Sequence, residues 1–96
     1  MIRFTGPLKV WHSDEGRMHF MTVPEDLAGE IRVHSLIERR GFGSVRVEVT
    51  VGEFTWRTSL FPSKSTGSYF LPVKIEVLRR TGIGAGDDVG VNLELL

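Results

Sequence analysis

No cysteine occurs in the chain, which excludes disulfides and thiolate metal ligands at once. No apolar run approaches the length of a membrane-spanning helix. The first residues, Met1-Ile2-Arg3-Phe4-Thr5, lack the apolar stretch of a signal peptide. Together these gaps predict a cytoplasmic protein with no membrane association. Neither sign of charge is in excess, since twelve Lys and Arg balance twelve Asp and Glu. Domains that grip duplex DNA draw most of their non-specific affinity from phosphate neutralisation and usually carry a basic surplus, so the balance weighs against that class. Histidine is scarce, and His12, His19 and His34 are scattered rather than spaced as zinc ligands are. No metal and no cofactor is expected.

What is present suits one domain over residues 1–96. A chain of this size buries roughly 60–70% of the surface its unfolded form exposes, enough for one core. The clearest element is a hairpin from Ser44 to Phe61. Val45, Val47, Val49 and Val51 alternate with Arg46, Glu48 and Thr50, the period of a half-buried strand. Gly52-Glu53 then forms a two-residue turn with Gly first, as a tight hairpin prefers. This register pairs Val51 with Phe54, Val49 with Trp56, Val47 with Thr58 and Val45 with Leu60 on one mostly apolar face. On the other face it sets Glu48 opposite Arg57. Trp56 is thereby assigned to the core, whereas Trp11, at a strand end beside His12, is expected to be partly exposed.

The remaining elements read more coarsely. Ile2 to Trp11 predicts a strand bent at Gly6-Pro7, and Ser13-Asp14-Glu15-Gly16 a turn. Arg17 to Val23 predicts a second strand. Pro24-Glu25-Asp26 opens a helix, with Pro at its start and acids at the positive end of its dipole, running to about Ile37. Arg39 to Gly43 and Ser63 to Ser68 are loops. Ser68 to Leu71 is a short strand ending at Pro72. The stretch Pro72 to Thr81 fits both periods, and the Val73, Val77, Leu78 face, the terminal Arg79-Arg80 and Gly82 favour a short helix with a glycine stop. Val89, Val91, Leu93 and Leu95 make the final strand. Gly82 to Asp88 is glycine-rich but runs from helix to strand and carries two aspartates, the wrong order and charge for a phosphate cradle. It reads as a cap and tight turn in which Asp87 bonds nearby amides.

Four segments, Arg40-Gly41-Phe42-Gly43-Ser44-Val45-Arg46-Val47, Trp56-Arg57-Thr58-Ser59-Leu60-Phe61-Pro62, Tyr69-Phe70-Leu71-Pro72-Val73-Lys74 and Gly86-Asp87-Asp88-Val89, occur in that order. With Phe4, Leu8, Phe20 and Pro24 in front of them, the chain resembles the bacterial family known as domain of unknown function 1905 over nearly its whole length. The resemblance implies a mainly β fold, a small split β-barrel of about six strands with two short helices, grouped near AbrB-type regulators and MazE-type antitoxins. It implies no catalytic residue, because the family has no established activity. Relatives commonly place an arginine directly after the valine that Val77 matches. Here Leu78 stands there, and Arg79 and Arg80 follow.

From Arg57 to Arg80 the charged residues are Arg57, Lys64, Lys74, Glu76, Arg79 and Arg80, five basic against one acidic. Arg57, Ser59, Lys64, Tyr69, Lys74 and Arg79, with Ser65 nearby, form the candidate ligand-binding set, since Arg and Lys supply strong charge-assisted donors. The bland alternative is a solvated basic edge with Arg57 occupied by Glu48. No serine sits in a nucleophile elbow, so the chain reads as non-enzymatic. The expected function is a binding module for a small anionic ligand or a partner peptide, acting as a monomer or weak homodimer. The alternative, by AbrB-type analogy, is nucleic-acid binding or an antitoxin-like role.

Overall fold

A computed structural model describes residues 1–38 and 43–96. Seven strands and two helices occur among them, in the order β1 (Ile2–Pro7), β2 (Lys9–Ser13), β3 (Gly16–Thr22), α1 (Glu25–Glu38), β4 (Val45–Val51), β5 (Phe54–Pro62), β6 (Tyr69–Val73), α2 (Ile75–Thr81) and β7 (Asp88–Leu95). All neighbouring strands are antiparallel, in the order β1-β7-β4-β5-β6-β3-β2. The strands at the two edges, β1 and β2, are consecutive in the chain and separated by Leu8 alone.

That single residue dictates the shape. Seven strands laid flat at about 4.8 Å spacing would hold the edges about 29 Å apart. One connecting residue spans only about 7 Å between the flanking Cα atoms. The sheet therefore curls until its edges meet, giving the split barrel. Leu8 is buried and both of its backbone groups are used. Its N–H donates to Asp87 O at 2.8 Å, and its C=O accepts from Gly86 N–H at 2.8 Å. The expected first strand, Ile2 to Trp11, is cut in two here, which raises the strand count from about six to seven.

The hairpin β4–β5 has the register that the valine alternation predicts, Val45↔Leu60 through Glu48↔Arg57 to Val51↔Phe54. Gly52 adopts a positive φ of 59° at the turn, where a side chain would be strained. Val45, Val47, Val49 and Val51 are buried with Leu60, and Phe54 and Trp56 pack against this core half-buried. The barrel interior is completed by Ile2 and Phe4 of β1, Met21 of β3, Leu71 of β6 and Val91 and Leu93 of β7.

The helices stand at opposite ends. Leu27 N–H donates to Pro24 O at 3.0 Å in the opening turn of α1, and Ala28 and Ile31 are buried. His34 Nε2 lies 2.8 Å from Leu96 O, and Leu96 N–H reaches Arg46 O at 3.0 Å, which sets α1 over the Val45 end of the hairpin. Val77 and Leu78 of α2 instead join Val51, Trp56 and Leu8 around a small apolar cavity at the other end. Leu78 is buried while Arg79 and Arg80 are exposed, so the position where the resemblance leads one to expect an arginine faces the core in this chain. α2 starts at Ile75 rather than Pro72 because Pro72 and Val73 still pair with Phe20 and His19 of β3. β5 pairs with β6 only at Phe61↔Phe70 and Pro62↔Tyr69, so the missing amide hydrogen of Pro72 meets no ladder on that side. Gly82, in the left-handed conformation at φ 75°, ends the helix with its N–H on Leu78 O.

The Gly82–Asp88 segment caps itself as its composition predicts, with Gly84 N–H donating to Asp87 Oδ2 at 2.9 Å. Apart from Gly43, the loop expected at residues 39–43 lies outside the described residues. Leu8→Ala removes a fully buried side chain at the seam and should lower stability by about 2–5 kcal/mol, measured by urea unfolding. Trp11→Ala, on an exposed side chain, should change it by less than about 0.5 kcal/mol.

Candidate functional site

The six sequence candidates divide between surface and core. Tyr69 is buried, with 4% of its surface exposed, because the β6 alternation that turns Leu71 and Val73 inward turns Tyr69 inward as well. Arg57 and Ser59 lie on the outward face of β5, along with Phe61. Arg57 is tied to Glu48, Nε to Oε2 at 3.2 Å, and Ser59 Oγ accepts from Arg46 Nη1 at 3.3 Å. Lys64 is exposed in the loop between β5 and β6, Lys74 is exposed just before α2, and Arg79 is exposed on α2. Of these six, only Lys74 borders one of the surface grooves described here.

Strand register assembles a different surface. On β2 and β3, Trp11 lies opposite Met18 and Lys9 opposite Phe20. Phe20 in turn faces Pro72 on β6, and Thr22 faces Phe70. Phe70 lies opposite Phe61 on β5. Directly opposed residues share a face, and alternation puts Met21 and Leu71 on the inside. Trp11, Met18, Phe20, Phe70 and Phe61 therefore form a band across the outside of four strands. Trp11 is 57% exposed, Phe61 39% and Met18 37%. The three phenylalanine rings touch in sequence. Phe61 and Phe70 lie 5.6 Å apart, tilted by 30°, and Phe20 meets Phe70 edge-on at 6.2 Å. Large aromatics left at a surface in one contiguous band commonly mark a binding site.

Trp11, Met18, Phe20 and Phe70 of the band floor a groove, and Phe61 lies beside it against Phe70. Lys9 and Trp11 stand on one side, and Ser63, Ser65 and Thr66 of the β5–β6 loop form the other wall. This loop is braced from several directions. Arg32 of α1 donates to Gly67 O at 2.9 Å. Ser68 Oγ–H donates to Val23 O at 2.8 Å, and Gly67 N–H closes on Ser63 O at 2.9 Å. A second groove shares Met18 and runs on past Pro72 and Ile75, with Arg17, His19 and Lys74 on its lining; Arg17 and His19 stand on the strand parity of Met21, so Arg17 reaches this groove from the opposite side of β3 to Met18. Among the described residues, the two grooves together are lined by Lys9, Arg17 and Lys74 and by no carboxylate. The other two surface grooves carry Glu53 in one case and Glu30 with Glu94 in the other.

Residues 4–93 match the family described as Domain of unknown function (DUF1905). The chain belongs to this family. No curated protein matches the chain. Membership therefore brings no activity, and the DUF1905 domain must be interpreted from its own surface. Among its described residues, no three His, Asp or Glu side chains converge as a metal site would require, and no helix is long and apolar enough to cross a membrane.

Sequence reading noted Trp11 as partly exposed but did not single out Phe20, Phe61 or Phe70. The signal was weak. Met18 and Phe20 alternate with Met21 and Val23 on the opposite parity, so the strand is apolar on both faces and only the pairing shows which face is covered. Arg57 and Glu48 have a plainer role. Both side chains are substantially exposed, at 65% and 33%, and such pairs contribute about 0–1 kcal/mol. Glu48→Gln should therefore shift the unfolding midpoint only slightly, by an amount that shrinks as salt is added, in paired denaturation curves at low and high ionic strength.

Proposed function

We propose that this DUF1905 domain is a non-enzymatic binding module that takes an anionic ligand on the outer face of β2, β3 and β6. The observation that carries the reading is the exposed Trp11 beside half-buried Phe20 and Phe70, next to Lys9, Arg17 and Lys74, in adjoining grooves lined by no described carboxylate. Apolar rings supply contact area at little entropic cost because they have few rotatable bonds. Lys9, Arg17 and Lys74 supply charge-assisted donors for the anion. The hydroxyls of Ser63, Ser65 and Thr66 can both donate and accept, and the braced loop lowers the ordering cost of binding. Lys74 carries over from the basic stretch as a direct ligand contact, with Lys64 beside the wall. Arg57, Ser59 and Arg79 serve at most as an outlying basic fringe, and Tyr69 supports the floor from inside.

A thermal-shift screen of anionic metabolites, both aromatic and aliphatic, tests this. Aromatic anions should raise the melting temperature, and Trp11→Ala should abolish the shift while leaving the melting temperature of the free protein unchanged. If no anion stabilises the protein, or if hits bind Trp11→Ala as well as the parent, the assignment of this face is wrong.

A further inference from the structure

We infer that the ligand on this face is single-stranded nucleic acid, held by base stacking on Trp11, Phe20, Phe70 and Phe61 with Lys9, Arg17 and Lys74 on the phosphates. The inference rests on the binding-face reading and specifies its ligand. Three features select this occupant. First, several rings lie in one band across neighbouring strands, and a single strand is a ligand that offers repeated flat π-faces. A ring platform on a four-stranded sheet takes two or three unstacked bases. Duplex bases are already stacked and cannot reach such a floor. Second, Lys9 lines the groove that holds the rings, Arg17 and Lys74 line the adjoining groove that shares Met18, and no described carboxylate lines either, which complements a backbone with one negative charge per nucleotide. Third, the floor is walled by Ser63, Ser65 and Thr66. Their hydroxyls donate and accept hydrogen bonds, which suits the base edges of a strand laid on the rings.

The same charges argue against a second copy of the chain as occupant. Two copies docked through this face would bring Lys9, Arg17 and Lys74 of one against the same groups of the other, with no carboxylate from either face to neutralise them. Zero net charge over the chain is compatible with the inference, because stacking and a few local cations hold the strand without a basic excess over the whole protein.

Fluorescence anisotropy with labelled oligothymidylate of eight nucleotides, titrated at several salt concentrations, is the test. Binding should weaken with salt with a log–log slope of about −2, from the named cations at about 0.7 each for single strands. Trp11→Ala should weaken it about tenfold, the scale of one lost stacking contact, and Phe61→Ala should weaken it in the same direction. Lys9→Glu should weaken it and flatten the salt slope. A duplex of equal length should bind less tightly. No binding at low salt, equal binding of duplex and single strand, or indifference to both ring substitutions overturns the inference. So does binding of phosphatidylserine vesicles or of polyglutamate, lost in Trp11→Ala, where the oligonucleotide fails. If the oligonucleotide fails while an anionic metabolite still stabilises the protein through Trp11, the nucleic-acid inference falls and the broader binding reading stands. If both fail, both fall.

Discussion

Leu8 is the constraint on which the rest of the molecule depends. It joins the two edge strands of one seven-stranded sheet, so the sheet has no choice but to curl. The backbone of Leu8 is clamped on both sides by residues 86 and 87, and its side chain is buried in the seam. Through that closure one face of every strand but β2 becomes interior. The valines of β4, Leu71 of β6 and Leu93 of β7 meet there, with α1 over one end and α2 over the other. Burial of this apolar surface supplies the main favourable term in folding, and with no cysteine in the chain no disulfide assists it.

Closure also decides what is left outside. A strand with apolar residues on both parities, such as β3, must expose one set once the other is enclosed. Met21 goes in, and Met18 and Phe20 come out beside Trp11. The short β6 adds Phe70 to the outer set, and the end of β5 adds Phe61, just beyond its pairing with β4. The rings are therefore a consequence of how three chain-distant segments are brought into register, and the β5–β6 loop, held by Arg32 and Ser68, turns that patch into a groove.

Legibility followed the range of the interaction. The β4–β5 hairpin was readable residue by residue, because period two, a glycine turn and an opposed charge pair are all local. The α2 stop at Gly82 and the Asp87 turn were readable for the same reason. The break at Leu8 was not, since nothing in Gly6-Pro7-Leu8 says that the strands on either side will lie at opposite edges of a sheet. The Val73, Val77, Leu78 spacing favoured a helix from Pro72, but pairing with β3 claimed Pro72 and Val73 for a strand. Tyr69 looked like a surface donor among basic neighbours, and only the inward phase of β6 removes it. The aromatic face was the least visible, because its members come from four strands and meet only through non-local pairing.

The central claim is that the outer face of β2, β3 and β6, rather than the basic stretch of β5 and α2, meets the ligand. Amide and side-chain chemical-shift mapping during titration with oligothymidylate addresses it most directly. The account predicts the largest changes at Lys9, Trp11, Met18, Phe20, Phe70 and the 63–68 loop, with Val47, Leu71 and Leu93 nearly still. Changes concentrated at Glu48, Arg57, Arg79 and Arg80, with Trp11 and Phe20 unmoved, would contradict it.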